Sequence, residues 1–149
     1  MLFRALIAFV ALPGVVAILV PLFWLFSTSH TTLVHPLGLL PLLAGFAVLL
    51  WCVREFYVSG KGTLAPWAPP ARLVETGPYR YSRNPMYVAV TLALLGWAAA
   101  FGSRGLLIYA LVVAVAFHLR VVLGEEPWLS RTHGSQWLRY RSRVPRWFW

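Results

Sequence analysis

Four apolar runs divide the chain, and they constrain its fold more than any other feature. They cover residues 5–26, 36–53, 85–101 and 106–123, which is 22, 18, 17 and 18 residues. A helix needs about 20 apolar residues to cross the hydrocarbon of a bilayer, within a range of roughly 17–25. Each run therefore predicts one membrane-spanning helix. Composition points the same way. Of 149 residues, 60% are apolar and 11% charged, where a soluble domain carries about 25% charged residues. Too little polar surface remains to cover a core this apolar in water. That excludes an ordinary soluble globular domain and an intrinsically disordered chain. The expectation is an all-α integral membrane protein forming a single domain over residues 1–149. It has four transmembrane helices, a cytoplasmic connector at 54–84, and a tail at 124–149 containing an amphipathic helix.

The first run follows Arg4 as a signal peptide would, but it is longer than the 7–15-residue core of one. No small-x-small cleavage site follows it either. Pro13 and Pro21 lie inside it, and proline kinks rather than breaks a membrane helix. Residues 102–105 alone separate the last two runs, which predicts a tight helical hairpin.

Thirteen Lys and Arg against four Asp and Glu give a net charge of +9. On a soluble chain that surplus would raise nucleic acid as a partner; here it sets orientation and favours anionic lipid. The N-terminus, the connector and the tail (counted with Arg120) hold one, five and six basic residues, and the opposite side holds Arg104 alone. The asymmetry predicts a multi-pass protein of the inner (plasma) membrane with both termini cytoplasmic. Trp24 and Trp97 fall at the predicted outer ends of spans, and Trp51 and Tyr57 at an inner end, as interfacial anchors do. The single cysteine, Cys52, cannot form an internal disulfide, a CxxC pair or a cysteine zinc site. No HExxH, GxGxxG or P-loop motif occurs, so neither a metal nor a Rossmann or P-loop nucleotide site is expected.

The polar information lies on the cytoplasmic side. The connector ends in LVETGPYRYSRNPMY, residues 73–87. Gly77-Pro78 signals a turn. Asn84-Pro85 reads as a helix start, with Asn as N-cap and Pro at the first helical position. The free N–H groups and positive dipole end of that helix suit a carboxylate or phosphate. Arg80 and Arg83 flank it, with Tyr79, Tyr81 and Tyr87 around it. At the end of the fourth run come His118, Arg120, Glu125 and Glu126. His118 and Glu125, seven residues apart, would share a helical face. Ionisable groups at the membrane boundary are functional candidates, although snorkelling explains an arginine there equally well. Beyond them, Trp128, Trp137 and Tyr140 among Arg131, Arg139, Arg141 and Arg143 read as a basic amphipathic helix on the membrane surface.

A ligand suited to a helix N-terminus, arginines, tyrosines and glutamates together carries a carboxylate, an ammonium group and a soft cation. S-adenosylmethionine has all three. Its carboxylate suits Arg83 or the capped helix end, its ammonium Glu125 or Glu126, and its sulfonium a tyrosine face. A nucleotide phosphate would also suit the helix end.

The segment at 73–87 resembles the signature of the isoprenylcysteine carboxyl methyltransferase family and its phospholipid methyltransferase relatives. GKGTLAPWAPP at 60–70 is similar to bacterial members. EEPWLSRTHGSQWLRYRSRVPRWF at 125–148 resembles the family's ending, with a Glu pair, a Gly eight residues on, and then aromatics and Val-Pro-Arg. The resemblance implies an integral membrane enzyme using S-adenosylmethionine. It carries cofactor contacts to Arg72, Leu73 and Val74, to Tyr79, to Asn84, Pro85, Met86 and Tyr87, and to Glu125, with Glu126 a weaker candidate. The family's substrate-facing arginine falls to Arg120. The chain departs at Asn84, where the eukaryotic carboxyl methyltransferases have His, so this position offers a side-chain donor but no titratable base.

The expected reaction is in-line displacement at a methyl carbon, with the protein positioning donor and nucleophile. A carboxylate acceptor is already ionised, and Arg120 would hold it. An amine acceptor, as in an aminophospholipid, must lose a proton, to His118 or Glu126. The partners expected are the bilayer and a lipophilic acceptor, with no obligate protein partner. A non-catalytic membrane scaffold or transport-related protein would share the composition, but would not need a cluster of polar motifs on one side.

Overall fold

A computed structural model describes residues 10–60 and 72–148, with side chains from Pro13 onward. The GKGTLAPWAPP segment, Arg4 and residues 5–9 of the first run fall almost wholly outside them. Among the described residues the chain is all helical, with no strand.

The first helix opens as a π-helical stretch, Val10–Leu19, around Pro13, and continues as α1, Val20–Ser27. A proline has no N–H to donate, and local π geometry is one way a membrane helix satisfies the carbonyls this frees. A 3-10 turn at Pro36–Gly38 leads into α2, Leu39–Val58. α3 spans Pro85–Ala100 and α4 spans Arg104–Arg120. α4 is capped by Ser103, whose Oγ accepts from the Leu106 N–H at 3.3 Å. A π-helical segment, Val121–Glu125, joins α4 without a break to α5, Glu126–Arg143.

Two helical stretches are long and apolar enough to cross a membrane, Pro36–Val58 and Arg104–Arg143. Only 28% and 22% of their most apolar windows are buried, which is not the pattern of a soluble core helix. Leu40, Leu43, Leu50, Ile108, Leu111, Val112 and Val115 all stand more than half exposed. A contiguous apolar surface of this extent needs a partner, and lipid supplies one. Pro13–Ser27 and Pro85–Ala100 are shorter apolar helices.

α3 is the centre of the bundle. Ala89, Val90 and Leu94 are buried with Ala17, Leu49 and Ala110 in one core cluster. The α2–α3 seam is made of small residues. A Cβ at Gly45 would lie 2.6 Å from the Ala93 backbone nitrogen, and one at Gly96 would lie 2.4 Å from the Leu42 nitrogen. Small residues let membrane helices approach closely, because lipid offers no hydrophobic drive between them.

The turn at Ser27–His35 and the turn at Gly102–Ser103 meet at one end, where the Val34 and His35 N–H groups both donate to the Ala100 carbonyl. The connector and the tail meet at the other end, where the Arg83 N–H donates to the Pro145 carbonyl at 2.9 Å.

Three local expectations change. The second helix does not stop at Val53 but runs to Val58. This places Glu55 in a buried position, accepting from Thr76 Oγ1 at 2.6 Å and Ser59 Oγ at 3.1 Å. That carboxylate fills the space beside Gly77, whose φ of +57° and crowded Cβ position admit no side chain. Trp97 is an internal strut rather than an interfacial anchor. Its Nε1 donates to the Ala17 carbonyl at 2.9 Å and its ring stacks on Phe101. The tail is not a single amphipathic helix. Gly134, at φ 48° and ψ −119°, breaks it, and beyond the break Trp137 and Tyr140 are buried with Val144 against Leu73 and Leu129. Two of the three aromatics read as membrane-seeking, Trp137 and Tyr140, pack on the connector instead, and Trp128 stays exposed.

Candidate functional site

The predicted site residues fall into three neighbouring groups at the end of the bundle where connector and tail meet.

The first group gathers around Glu125. Its Oε1 accepts a short hydrogen bond from the Tyr87 hydroxyl and one from Arg120 Nε at 2.9 Å. Tyr87 comes from the first turn of α3, and Glu125 and Arg120 from the joint between α4 and α5. The π segment makes this pairing. In a regular α-helix residues five apart point about 140° away from each other. The wider π turn brings i and i+5 into line, so Arg120 rather than His118 is the helical partner of Glu125. His118 turns the other way and stacks on Trp147, with centroids 6.0 Å apart and planes at 28°.

Beside this group lies a pocket of about 370 Å³. Tyr87, Thr91 and Leu95 of α3 form one wall, Phe117 and His118 of α4 another, and Trp147 closes the third. Its lining is almost wholly apolar. Tyr87 and Phe117 stack at 4.3 Å, so Tyr87 presents its hydroxyl to Glu125 and its ring to the pocket.

The second group is a buried ionic clasp. Glu126 accepts from Arg83 Nη1 at 2.8 Å and from Arg146 Nε and Nη2 at 2.9 and 2.8 Å. The Arg83 and Glu126 side chains are only 8% and 11% exposed. Arg83 also lies over the Trp137 ring, 5.4 Å from its centroid. Burial alone would raise the Glu126 carboxyl. The Arg146 hydrogen bond and the charges of Arg83 and Arg146 outweigh it and hold that carboxyl below its ordinary value. Asn84 starts α3 as expected, but its side chain does not cap the helix. Its Nδ2 donates instead to the Arg146 carbonyl at 3.0 Å, beside Ser82 Oγ on the same carbonyl at 3.2 Å. The first-turn N–H groups of α3 therefore lack a side-chain cap.

The third group is apolar and lies behind the others. Val74 and Tyr79 are buried with Cys52, and Met86 packs against them. Leu73 supports Trp137 and Tyr140, and Pro85 is buried at the helix start. Tyr140 donates to the Tyr79 carbonyl at 2.7 Å. The Tyr79 hydroxyl is buried and finds no hydrogen-bond partner among the described residues. Arg72 is exposed and joins none of the three groups. Among the described residues no cluster of three potential metal ligands occurs.

Reading the sequence alone missed Trp147, Phe117 and Arg146. The first two are apolar residues in apolar surroundings and carry no signal of their own. Arg146 had one: a Val-Pro-Arg ending that a simple membrane anchor does not require.

Residues 33–136 match the family described as phospholipid methyltransferase. The chain is also 33% identical over 102 residues to the nickel-cobalt-cadmium resistance protein NccN of Alcaligenes xylosoxydans xylosoxydans. That similarity covers 66% of this chain and 42% of NccN, so the chain spans less than half of that relative. No solved structure matches it. The family match takes in well over half of the chain, from the turn before α2 to the Gly134 break, and it includes every residue around Glu125 and all of the clasp except Arg146. With two helices apolar and long enough to cross a bilayer, this is a membrane-associated chain, and it belongs to the phospholipid methyltransferase family.

Proposed function

We propose that the protein transfers a methyl group from S-adenosylmethionine to a lipophilic acceptor at the cytoplasmic face of the inner membrane, most like an isoprenylcysteine carboxyl O-methyltransferase. Four spans, with both termini cytoplasmic, go with this reading. The observation that carries it is Glu125, a half-buried carboxylate held by Tyr87 and Arg120 beside an apolar pocket between α3 and α4. Such a carboxylate suits the ammonium of an amino-acid-like ligand.

The residues fit that cofactor. Glu126 is fully engaged by two arginines, which leaves Glu125 as the carboxylate for an ammonium. The uncapped first turn of α3 suits a carboxylate, and the ring of Tyr87 suits a sulfonium. The buried Tyr79 hydroxyl, which has no hydrogen-bond partner among the described residues, is a further donor in this reading. S-adenosylmethionine would supply an electrophilic methyl group there. Arg83, locked to Glu126, acts in this reading as a support of the connector. A carboxylate acceptor reaching the pocket mouth would meet Arg120, which holds it in place, and no base is required. Positioning of this kind accounts for a large share of catalysis where the nucleophile needs no activation.

A second reading, transfer to the amine of a phospholipid, is favoured by the description of the family. It requires a base, and His118 is the candidate because it lines the pocket, whereas Glu126 is occupied. The test is calorimetric titration of the purified protein with S-adenosylmethionine, beside Glu125→Gln. Saturable binding that weakens at least tenfold in the folded variant supports the reading. No binding by folded wild type at millimolar cofactor overturns it in favour of a non-catalytic scaffold. Labelled-methyl incorporation into a prenylcysteine or an aminophospholipid then separates the two acceptors.

A further inference from the structure

Residues 144–147 are tied down one after another. Val144 is buried with Trp137 and Tyr140. The Pro145 carbonyl accepts from the Arg83 N–H, and the Arg146 carbonyl accepts from Ser82 and Asn84. The Arg146 guanidinium grips both oxygens of Glu126. Bidentate charge-assisted contacts of this kind fix orientation as well as position. All of this holds a short strap whose next residue, Trp147, lies flat on His118 and forms a wall of the apolar pocket.

The pocket runs along α3 from Tyr87 to Leu95, eight residues or about 12 Å of helix. Its far end lies among leucines in the apolar part of the bundle. Its near end is lined by Tyr87, His118 and Trp147, and the Tyr87 hydroxyl links it to the charged pair Glu125–Arg120. An extended hydrocarbon chain with a polar end matches this gradient: the chain lies between α3 and α4, and the polar end comes to rest where the charges begin.

We infer that Trp147 is the stop of this pocket. The hydrocarbon chain of the acceptor enters from the bilayer between α3 and α4, and its reactive end halts under Trp147, held there by the strap. Trp147 is thus a specificity-determining residue, setting how far the acceptor's polar end can advance toward Glu125 and Tyr87. That this chain belongs to a methyl acceptor rests on the function proposed above; the pocket and its stop do not.

The experiment uses the full chain in lipid nanodiscs and reads tryptophan emission. Two probes are titrated, 2-bromododecanoate and 12-bromododecanoate, because bromine quenches an indole that it touches. The chain has eight tryptophans, so Trp147→Phe isolates one of them while keeping a ring on His118. The expected result is saturable quenching by the 2-bromo probe in wild type, reduced in Trp147→Phe by about one tryptophan's share. Quenching by the 12-bromo probe should be the same in both proteins. Equal quenching of both proteins by the 2-bromo probe overturns the inference. So does a Trp147-dependent effect confined to the 12-bromo probe, since the chain would then lie the other way round. S-adenosylmethionine binding is measured on the same samples. If neither protein binds the cofactor and the Trp147-dependent quenching persists, the methyl-transfer reading fails while the pocket assignment stands.

Discussion

Glu126 receives three charge-assisted hydrogen bonds from two arginines, and its value to the protein depends on where those arginines come from. Arg83 precedes α3 and Arg146 follows α5, so one carboxylate ties the connector to the end of the chain. Removing one partner of a buried pair costs about 3–5 kcal/mol when the other charge is left alone. Arg146 would remain here, so Arg83→Met should cost less, about 2 kcal/mol. Denaturant unfolding in mixed micelles measures it. In the same variant, once folded, the affinity for S-adenosylmethionine should stay within about threefold of wild type. A loss as large as that of Glu125→Gln would show that Arg83 holds the cofactor itself. The clasp also has a pH signature. The Glu126 carboxyl lies below its ordinary value of 4.5 in the folded protein. A group depressed on folding adds stability that is present above its unfolded pKa and is lost as pH falls through its folded one. Thermal melts from pH 7 down to pH 3 should therefore show acid destabilisation that begins near pH 4.5 and is smaller in Glu126→Gln. An acid limb of the same size in both proteins would mean that the clasp contributes nothing.

The π segment at Val121–Glu125 is the element on which the site depends, because it sets the angle between α4 and α5. Inserting one alanine after Val122 would add a residue that the π turn cannot absorb and turn all that follows by about 100°. Glu125 would leave Tyr87, and cofactor affinity should fall at least tenfold with helix content by circular dichroism unchanged. Retention of wild-type affinity would show that the Glu125–Tyr87 contact is not needed. The α2–α3 seam gives a separate test at this scale. A methyl at Gly96 has no room, since its Cβ would sit 2.4 Å from backbone, whereas at Gly124 nothing lies within 4 Å. Gly96→Ala should cost about 1–3 kcal/mol in unfolding measurements, as overpacking does. Gly124→Ala should be neutral or slightly stabilising, because alanine is the better helix former. These elements also show what the sequence could disclose. The third run matched α3 to within a residue, because Asn84-Pro85 and Gly102 mark its limits in local chemistry. The ends of α2 and the shape of the tail were not legible. Glu55 looks like the end of an apolar run until Thr76, twenty-one residues away, supplies its hydrogen bond. Trp137 and Tyr140 look like membrane anchors until Gly134 turns them inward. The Glu125 site was half legible: its glutamates, arginine and tyrosine could be named, but which glutamate is clasped by two arginines depended on Arg146, and which pairs with Arg120 on a π turn. Neither leaves a periodic signal.

At the scale of the whole molecule, the number of bilayer crossings turns on α3. α3 has 16 residues, about 24 Å of helix, against a hydrocarbon thickness near 30 Å. Taken alone it would be too short. It is, however, the central helix, with Ala89, Val90, Ala93 and Leu94 buried by its neighbours, so most of its length need not match lipid. α2, with 20 residues, and α4, which continues helically to Arg143, meet the bilayer on its behalf, and a modest local thinning covers what is left at small cost. This argument predicts that α3 spans and that three crossings separate Thr31 from Ser135. Both residues are exposed, and the single native cysteine, Cys52, is fully buried at 0% exposure, which gives a silent background for labelling. A membrane-impermeant maleimide applied to intact cells should modify Thr31→Cys and leave Ser135→Cys untouched. In inverted membrane vesicles the pattern should reverse, and wild type should stay unlabelled in both. Labelling of both positions from the same side would require an even number of crossings between them, and α3, the shortest of the three intervening helices, would then be re-entrant. The first turn of α3 and Tyr87 would in that case be reached from the opposite face, and the site built around Glu125 would have to be redrawn.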